Sequence, residues 1–118
     1  MANRSNPERA IATFFAALNT HDADAAAALV APNVQMTLGS RLFVGRDAVR
    51  ELAVQKDPQL ASESVPVAFS GDSNHMNVET RRVQRWRHSG EIAADEDVQA
   101  VFSLDAGGLI THLQLASR

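Results

Sequence analysis

The sequence predicts an α+β domain in which about three N-terminal helices pack on one face of a curled antiparallel sheet. Three observations carry that expectation. Up to Pro58 the chain holds amphipathic or Ala-rich segments, broken at Asn19-Thr20-His21-Asp22 and at Pro32. Beyond it lie runs of period-two alternation separated by Gly-, Asp- and Ser-rich turns. Helices come first and strands follow, rather than alternating as in a parallel α/β sheet.

Each element has its own signal. Ser5 with Glu8 fits a capping box, and Asn6 with Pro7 fits an N-cap followed by proline at the first helical position. Ile11, Phe14, Phe15 and Leu18 then repeat at i, i+3, i+4 and i+7. Asp22 caps a second, Ala-rich helix from about Ala23 to Val30, which Pro32 stops. Val34 to Leu38 alternates as a short strand ending at Gly39. Gly45 opens a third helix running to about Lys56, with Val49, Leu52 and Ala53 on its inner face. Val65, Val67 and Phe69 alternate as a strand that Pro66 assigns to a sheet edge.

The stretch from His75 to His88 is the informative one. At period two, one face carries Met76, Val78, Thr80, Arg82, Gln84 and Trp86; the other carries Asn77, Glu79, Arg81, Val83, Arg85 and Arg87. The first face is what a ligand pocket's wall needs, and the second is a charged, outward face. Ser89-Gly90 turns into Glu91–Leu104, where Val98, Ala100, Phe102 and Leu104 alternate. After the turn Asp105-Ala106-Gly107-Gly108, Leu109–Ala116 closes the sheet.

Composition narrows the function. The chain has 118 residues, 45% of them hydrophobic and 21% charged, which makes 1–118 a single domain with one core. A net charge of −3 argues against nucleic acid as a partner, despite the arginines of one strand. The absence of cysteine removes disulfides and thiolate chemistry. No apolar run has the length of a signal peptide or of a membrane span, so the expected location is cytoplasmic with no membrane partner. The four histidines show neither H-x-H nor H-x3-H spacing, so no metal site is expected, and no glycine loop suggests a nucleotide.

Three segments resemble the SnoaL-like branch of the nuclear transport factor 2-like superfamily. They are Phe15-Ala16-Ala17-Leu18-Asn19-Thr20-His21-Asp22-Ala23-Asp24, Val44-Gly45-Arg46-Asp47-Ala48-Val49-Arg50-Glu51, and Phe102-Ser103-Leu104-Asp105-Ala106-Gly107-Gly108-Leu109-Ile110. The resemblance implies a cone-shaped sheet enclosing a pocket with the helices. It does not fix a reaction, because this cone hosts isomerases, hydrolases, dehydratases, cyclases and non-catalytic dimers. The ketosteroid isomerase pattern of Tyr, Asp and protonated Asp falls on Phe14, on Met36–Leu38 and on Ala100, and all three polar groups are missing. The Asp-Arg-Asp set of limonene epoxide hydrolase falls on Arg82-Val83-Gln84 and on Gln114; the Arg remains and both carboxylates are glutamines. A glutamine hydrogen-bonds with similar reach but neither takes nor supplies a proton at neutral pH.

The resemblance also orients the last strand, with Ile110, His112, Gln114 and Ala116 facing the pocket and Leu109, Thr111, Leu113 and Leu115 facing outward. An outward apolar row implies a homodimer through the outer sheet face. On this basis His112 is the candidate catalytic base. Its plain alternative is a buried, hydrogen-bonded histidine. Arg82, Gln84, Gln114, Trp86 and Phe14 are the candidate ligand contacts. Arg82 needs an anion, supplied either by a ligand or by Glu96 or Asp97 on the next strand. A strict two-residue turn would set Arg82 opposite Asp97 and turn Val98, Ala100 and Phe102 outward, whereas a bulge or a longer turn would restore the pattern. Trp86 either packs as an apolar wall or stacks on a flat ligand. His21 and Asp22 read as turn and cap. Two functions remain open: a cofactor-independent isomerase, cyclase or hydratase acting on a small apolar molecule, and a non-catalytic ligand-binding or dimerisation module.

Overall fold

The computed structural model describes residues 7–55 and 57–117. The expected caps at Ser5 and Asn6 and the helix end at Lys56 lie outside the described residues. The elements run α1 (Pro7–Asn19), α2 (Ala23–Ala28), β1 (Val30–Leu38), β2 (Arg41–Val44), α3 (Arg46–Val54), β3 (Leu60–Asp72), β4 (His75–Trp86), β5 (Ile92–Leu104) and β6 (Ile110–Ser117). The strands form one curved, open sheet in the order β2-β1-β6-β5-β4-β3. Three helices and a curled sheet are the α+β architecture that the sequence predicts. One pairing departs from it: β1 and β6 run parallel, while the other four pairs are antiparallel.

That parallel pairing explains the early end of α2. The Asp22 side chain caps the helix by accepting from the Ala25 N–H at 3.1 Å, as expected. The helix was expected to reach Val30, yet Leu29 is already its C-cap. Val30 instead pairs with Ile110, whose N–H donates to the Leu29 carbonyl at 3.0 Å. A β-branched residue with a buried strand partner gains more there than in a short helix. Strand β2 had no counterpart in the sequence reading. It follows β1 through a two-residue turn, Gly39-Ser40, with Gly39 at φ +67° where a hairpin needs a positive φ.

Strand β3 is an edge strand, as Pro66 required, and a bulge between Pro66 and Ala68 absorbs the missing donor. The β4–β5 register sets Arg82 opposite Glu96, and a bulge between Gln84 and Arg85 keeps Val98, Ala100, Phe102 and Leu104 on the inner face. Of the alternatives that the sequence left open, the strict two-residue turn is thus not the one formed: β4 ends at Trp86 and β5 begins at Ile92, so the turn is longer and the pairing is also bulged.

Strand β6 carries the main correction. Ile110 faces inward, but Thr111 is a bulge: Leu104 pairs with Ile110 and Ser103 with His112. One extra residue reverses the alternation beyond it. Leu113 is therefore 2% exposed in the core, while His112 and Gln114 lie exposed on the outer face. The apolar row that implied a dimer seam points into the protein's own interior.

The core lies between the sheet's inner face and the helices. Ile11, Phe14 and Phe15 of α1 and Val49 of α3 meet Met36, Val78, Ala100, Phe102, Ile110 and Leu113. Across the outer face of β4 and β5, Arg81 grips Asp95 through both Nε and Nη2. The guanidinium holds the Asp95 carboxyl below its ordinary range, and the carboxylate raises the Arg81 pKa. A depressed carboxylate pKa adds stability above the unfolded value of about 3.9, lost as pH falls through the folded value. Asp95→Asn is therefore expected to destabilise the protein at neutral pH. Urea unfolding at a series of pH values should show its difference from wild type closing below about pH 4. A difference that stays constant into acid would discount the ion pair.

Candidate functional site

Where α1 and α3 end, they stand off the sheet and leave a cavity of about 460 Å³. Its apolar lining comes from Phe15 and Leu18 of α1, Leu52 of α3, Leu38 of β1, Val98 of β5 and Leu115 of β6. Its polar lining is Asn19, His21, Gln55, Ser62, Ser64, Thr80 and Arg82. The volume and the mixture suit a small organic ligand held mainly by apolar contact and oriented by a few polar groups.

Arg82 is the charged group of that wall. Its Nη2 donates to Glu96 Oε1 on the paired strand, and both side chains are part-buried. The ion pair does not use the whole guanidinium: Nε is buried and has no hydrogen-bond partner among the described residues. A buried donor left unmatched costs about 1–3 kcal/mol, more when it belongs to a charged group. Nε has no accessible surface of its own, so a ligand in the cavity would meet the exposed remainder of the side chain.

The polar neighbours are already committed to holding the wall. Asn19 clamps strand β3, its Nδ2 donating to the Ser64 carbonyl at 2.8 Å and its Oδ1 accepting from the Ser64 N–H at 2.9 Å. Ser64 is the register partner of Arg82, so the end of α1 is fixed above Arg82's part of the sheet. Gln84 donates through Nε2 to Ser62 Oγ at 3.0 Å, which positions a lining residue without itself lining the cavity. Thr80, only 3% exposed, lies inward between Val78 and Arg82.

The other expected contacts lie elsewhere. Phe14 is fully buried in the core, edge-on to Phe15 and Phe102. Trp86 is 38% exposed and, with Pro58, Gln59, Arg87 and His88, lines a separate surface depression; it does not wall the cavity. His112 and Gln114 border an outer-face depression with Gln35, Thr37, His75 and Ser103. His112 Nδ1 lies 3.1 Å from Thr111 Oγ1. The bulge at Thr111 thus removes His112 and Gln114 from the place that the resemblance assigned them. Of the six candidates, Arg82 alone lines the cavity.

His21 lies in the turn to which the sequence assigns it, and it also lines the cavity, as do Asn19, Gln55, Ser62 and Ser64, none of which the sequence singled out. It sits in the left-handed region at φ +58°, and its backbone N–H donates to the Leu18 carbonyl at 3.1 Å. Its ring reaches α3, with Nδ1 2.9 Å from the Ala53 carbonyl oxygen. A non-glycine residue at positive φ is uncommon, and histidine is among the types that tolerate it. The available signal was a polar break between two helices, which fits a turn equally well.

Among the described residues no group of three or more His, Asp or Glu side chains is arranged to hold a metal, and no helix is long and apolar enough to cross a membrane.

Residues 11–113 match the family model described as a SnoaL-like domain. No curated protein matches the chain. Among solved structures it is similar to a putative polyketide cyclase from Xanthomonas campestris pv. campestris, with 16% identity, TM-score 0.80 and coverage of 99% of this chain and 93% of that one. It is also similar to TerC co-crystallised with polyporic acid, at 15% identity and TM-score 0.78, covering 95% and 91%. A third is an epoxide hydrolase/cyclase-like enzyme of pyran ring formation in the polyether salinomycin, at 18% identity and TM-score 0.74, covering 95% and 90%. At these identities the likeness is one of fold.

Proposed function

The chain belongs to the SnoaL-like domain family, and from that premise we propose that it binds a small, mainly apolar molecule bearing an anionic or anion-forming oxygen. The molecule occupies the cavity between α1, α3 and the inner sheet face. The observation that carries this reading is Arg82, the charged side chain in the described lining of a largely apolar space. The relatives support the ligand class: one was crystallised with polyporic acid and one is described as a putative polyketide cyclase. Isomerisation, cyclisation or hydration of such a molecule needs a proton-transfer group in the same cavity, and no cofactor.

A fluorescent probe with these properties, 8-anilinonaphthalene-1-sulfonate, tests the reading directly. Wild-type protein is expected to bind it with one-to-one stoichiometry. Replacing the ion pair by a neutral one, Arg82→Gln with Glu96→Gln, leaves no unpaired charge behind. It should weaken binding about tenfold or more, since a hydrogen bond to a charged group contributes about 1.5–3 kcal/mol. Leu52→Trp should block the cavity outright. Failure of the wild-type protein to bind the probe, or full affinity in the double variant, would sink the assignment.

A further inference from the structure

We propose that His21 is the proton acceptor of this cavity, working through Nε2 opposite the charge-stabilising Arg82. The inference rests on the cavity being a ligand site and adds a reaction to it.

A carbonyl oxygen only accepts, so the 2.9 Å contact between His21 Nδ1 and the Ala53 oxygen requires the proton to be on Nδ1. In the neutral ring Nε2 then carries the lone pair. A backbone carbonyl at the end of α3 thus fixes both the tautomer and the orientation of the ring, which is the role an orienting group plays for a catalytic base. His21 lines the cavity, and among the described residues its hydrogen-bonded ring nitrogen is Nδ1, which leaves Nε2 as the atom available to a ligand. The Asn19–Ser64 clamp, two residues before His21 and directly across from Arg82 on the sheet, ties the His21 turn to the part of the sheet where Arg82 stands.

Among the described residues the cavity lining holds no carboxylate to compete for the role. His21 is the imidazole among them, the side-chain type that serves most often as a general base. The step is proton abstraction beside a carbonyl. The C–H bond breaks, its proton goes to His21 Nε2, and the electron pair moves through the new carbon–carbon double bond onto the carbonyl oxygen. That oxygen becomes an enolate held by Arg82. Return of the proton from the imidazolium to a different carbon completes an isomerisation. Attack of the enolate carbon on a second carbonyl of the same molecule restores the first carbonyl and forms an alkoxide, which takes the imidazolium proton and so completes a cyclisation. Neither needs an oxidant, a reductant or a co-reactant.

The chromogenic probe 5-nitrobenzisoxazole reads this pairing without knowledge of the natural ligand. A base removes its C3 proton, the pair becomes part of the nitrile as the N–O bond breaks, and the charge ends on a phenolate oxygen. Wild-type protein is expected to accelerate the reaction above buffer and to be inhibited by anilinonaphthalene sulfonate. His21→Asn keeps a side chain that tolerates positive φ and an amide that can donate to Ala53, yet offers no base. It should lower the protein-dependent rate about a hundredfold, the usual scale of a positioned base, while still binding the sulfonate probe. His112→Asn should keep the full rate.

An undiminished rate in His21→Asn overturns the proposal. Sulfonate binding by wild type without any acceleration overturns it too, leaving the binding site standing. Absence of sulfonate binding removes both. Should His21→Asn fail to fold, long-range proton–nitrogen NMR of the wild type decides. An Nδ1–H tautomer whose Nε2 resonance moves on adding the benzisoxazole supports the assignment, and an Nε2–H tautomer refutes it.

Discussion

Phe102→Ala is expected to lower the unfolding free energy by about 3–5 kcal/mol, the cost of emptying a large aromatic site in a core that relaxes only in part. Phe102 has no exposed surface. Its ring meets Phe14 and Phe15 at centroid distances of 6.2 and 5.7 Å, both edge-on, so truncation also removes two aromatic pairings. Phe102 is further flanked by Met76 and Leu113, its register partners on the two neighbouring strands. Helix α1, the β4–β5 hairpin and the inserted strand β6 all meet at this side chain. Against a total stability of about 5–15 kcal/mol for a domain, the loss would bring the protein close to unfolding at ambient temperature. Urea denaturation followed by circular dichroism measures it. A loss below about 1 kcal/mol would mean that the aromatic cluster is not the centre of the core.

Inserting one alanine between His112 and Leu113 is expected to cost as much or more, although it adds no bulk to the core. The bulge at Thr111 already accommodates one extra residue of β6, so a second moves everything beyond it by one position relative to β5. Leu113 then turns out into water, forfeiting about 1.5–3 kcal/mol for a fully buried leucine, and the part-buried Leu115 turns out with it at a smaller loss. Gln114 turns inward without a partner, at about 1–3 kcal/mol. The sum rivals the lower part of the range of about 5–15 kcal/mol for a whole domain, so the insertion variant should be largely unfolded. Thr111→Val is the control: it keeps the chain length and gives up only the 3.1 Å bond from Thr111 Oγ1 to the Ser103 carbonyl. It should cost about 1 kcal/mol. Cooperative unfolding of the insertion variant near the wild-type urea midpoint would show that the strand absorbs the extra residue in a second bulge.

The same bulge marks the limit of what the sequence discloses. The α+β order, the inner face of β4, the edge position of β3 and the cap at Asp22 are each fixed by a few neighbouring residues, and all could be read. Arg82 was legible because a lone cation on an otherwise inward face has few explanations. Alternation cannot announce where an extra residue enters a strand. At β5 the apolar run Val98, Ala100, Phe102 and Leu104 beside Glu96-Asp97 at least posed the registers between which the fold chooses, whereas at β6 leucine and polar residues alternate equally well in either register. His21 was hidden for another reason. Its place in the cavity depends on a left-handed turn and on a carbonyl thirty-two positions further along, and neither leaves a mark in the residues around it.

The parallel pairing of β1 with β6 also governs the order in which the molecule can be assembled. Until residues 110–117 have been synthesised, the sheet exists only as two separate pieces, β2-β1 beneath the helices and the β5-β4-β3 meander. Val34, Met36 and Phe102 cannot be sealed from water in either piece, because Leu113 joins them only when β6 slides between β1 and β5. A chain emerging from the ribosome at about 5–20 residues per second therefore carries an open apolar seam for several seconds. The last strand inserted is a central one, and the contacts it makes span most of the sequence, the topology for which folding is slowest. The nascent chain, more than the finished protein, is the species with most to gain from a chaperone.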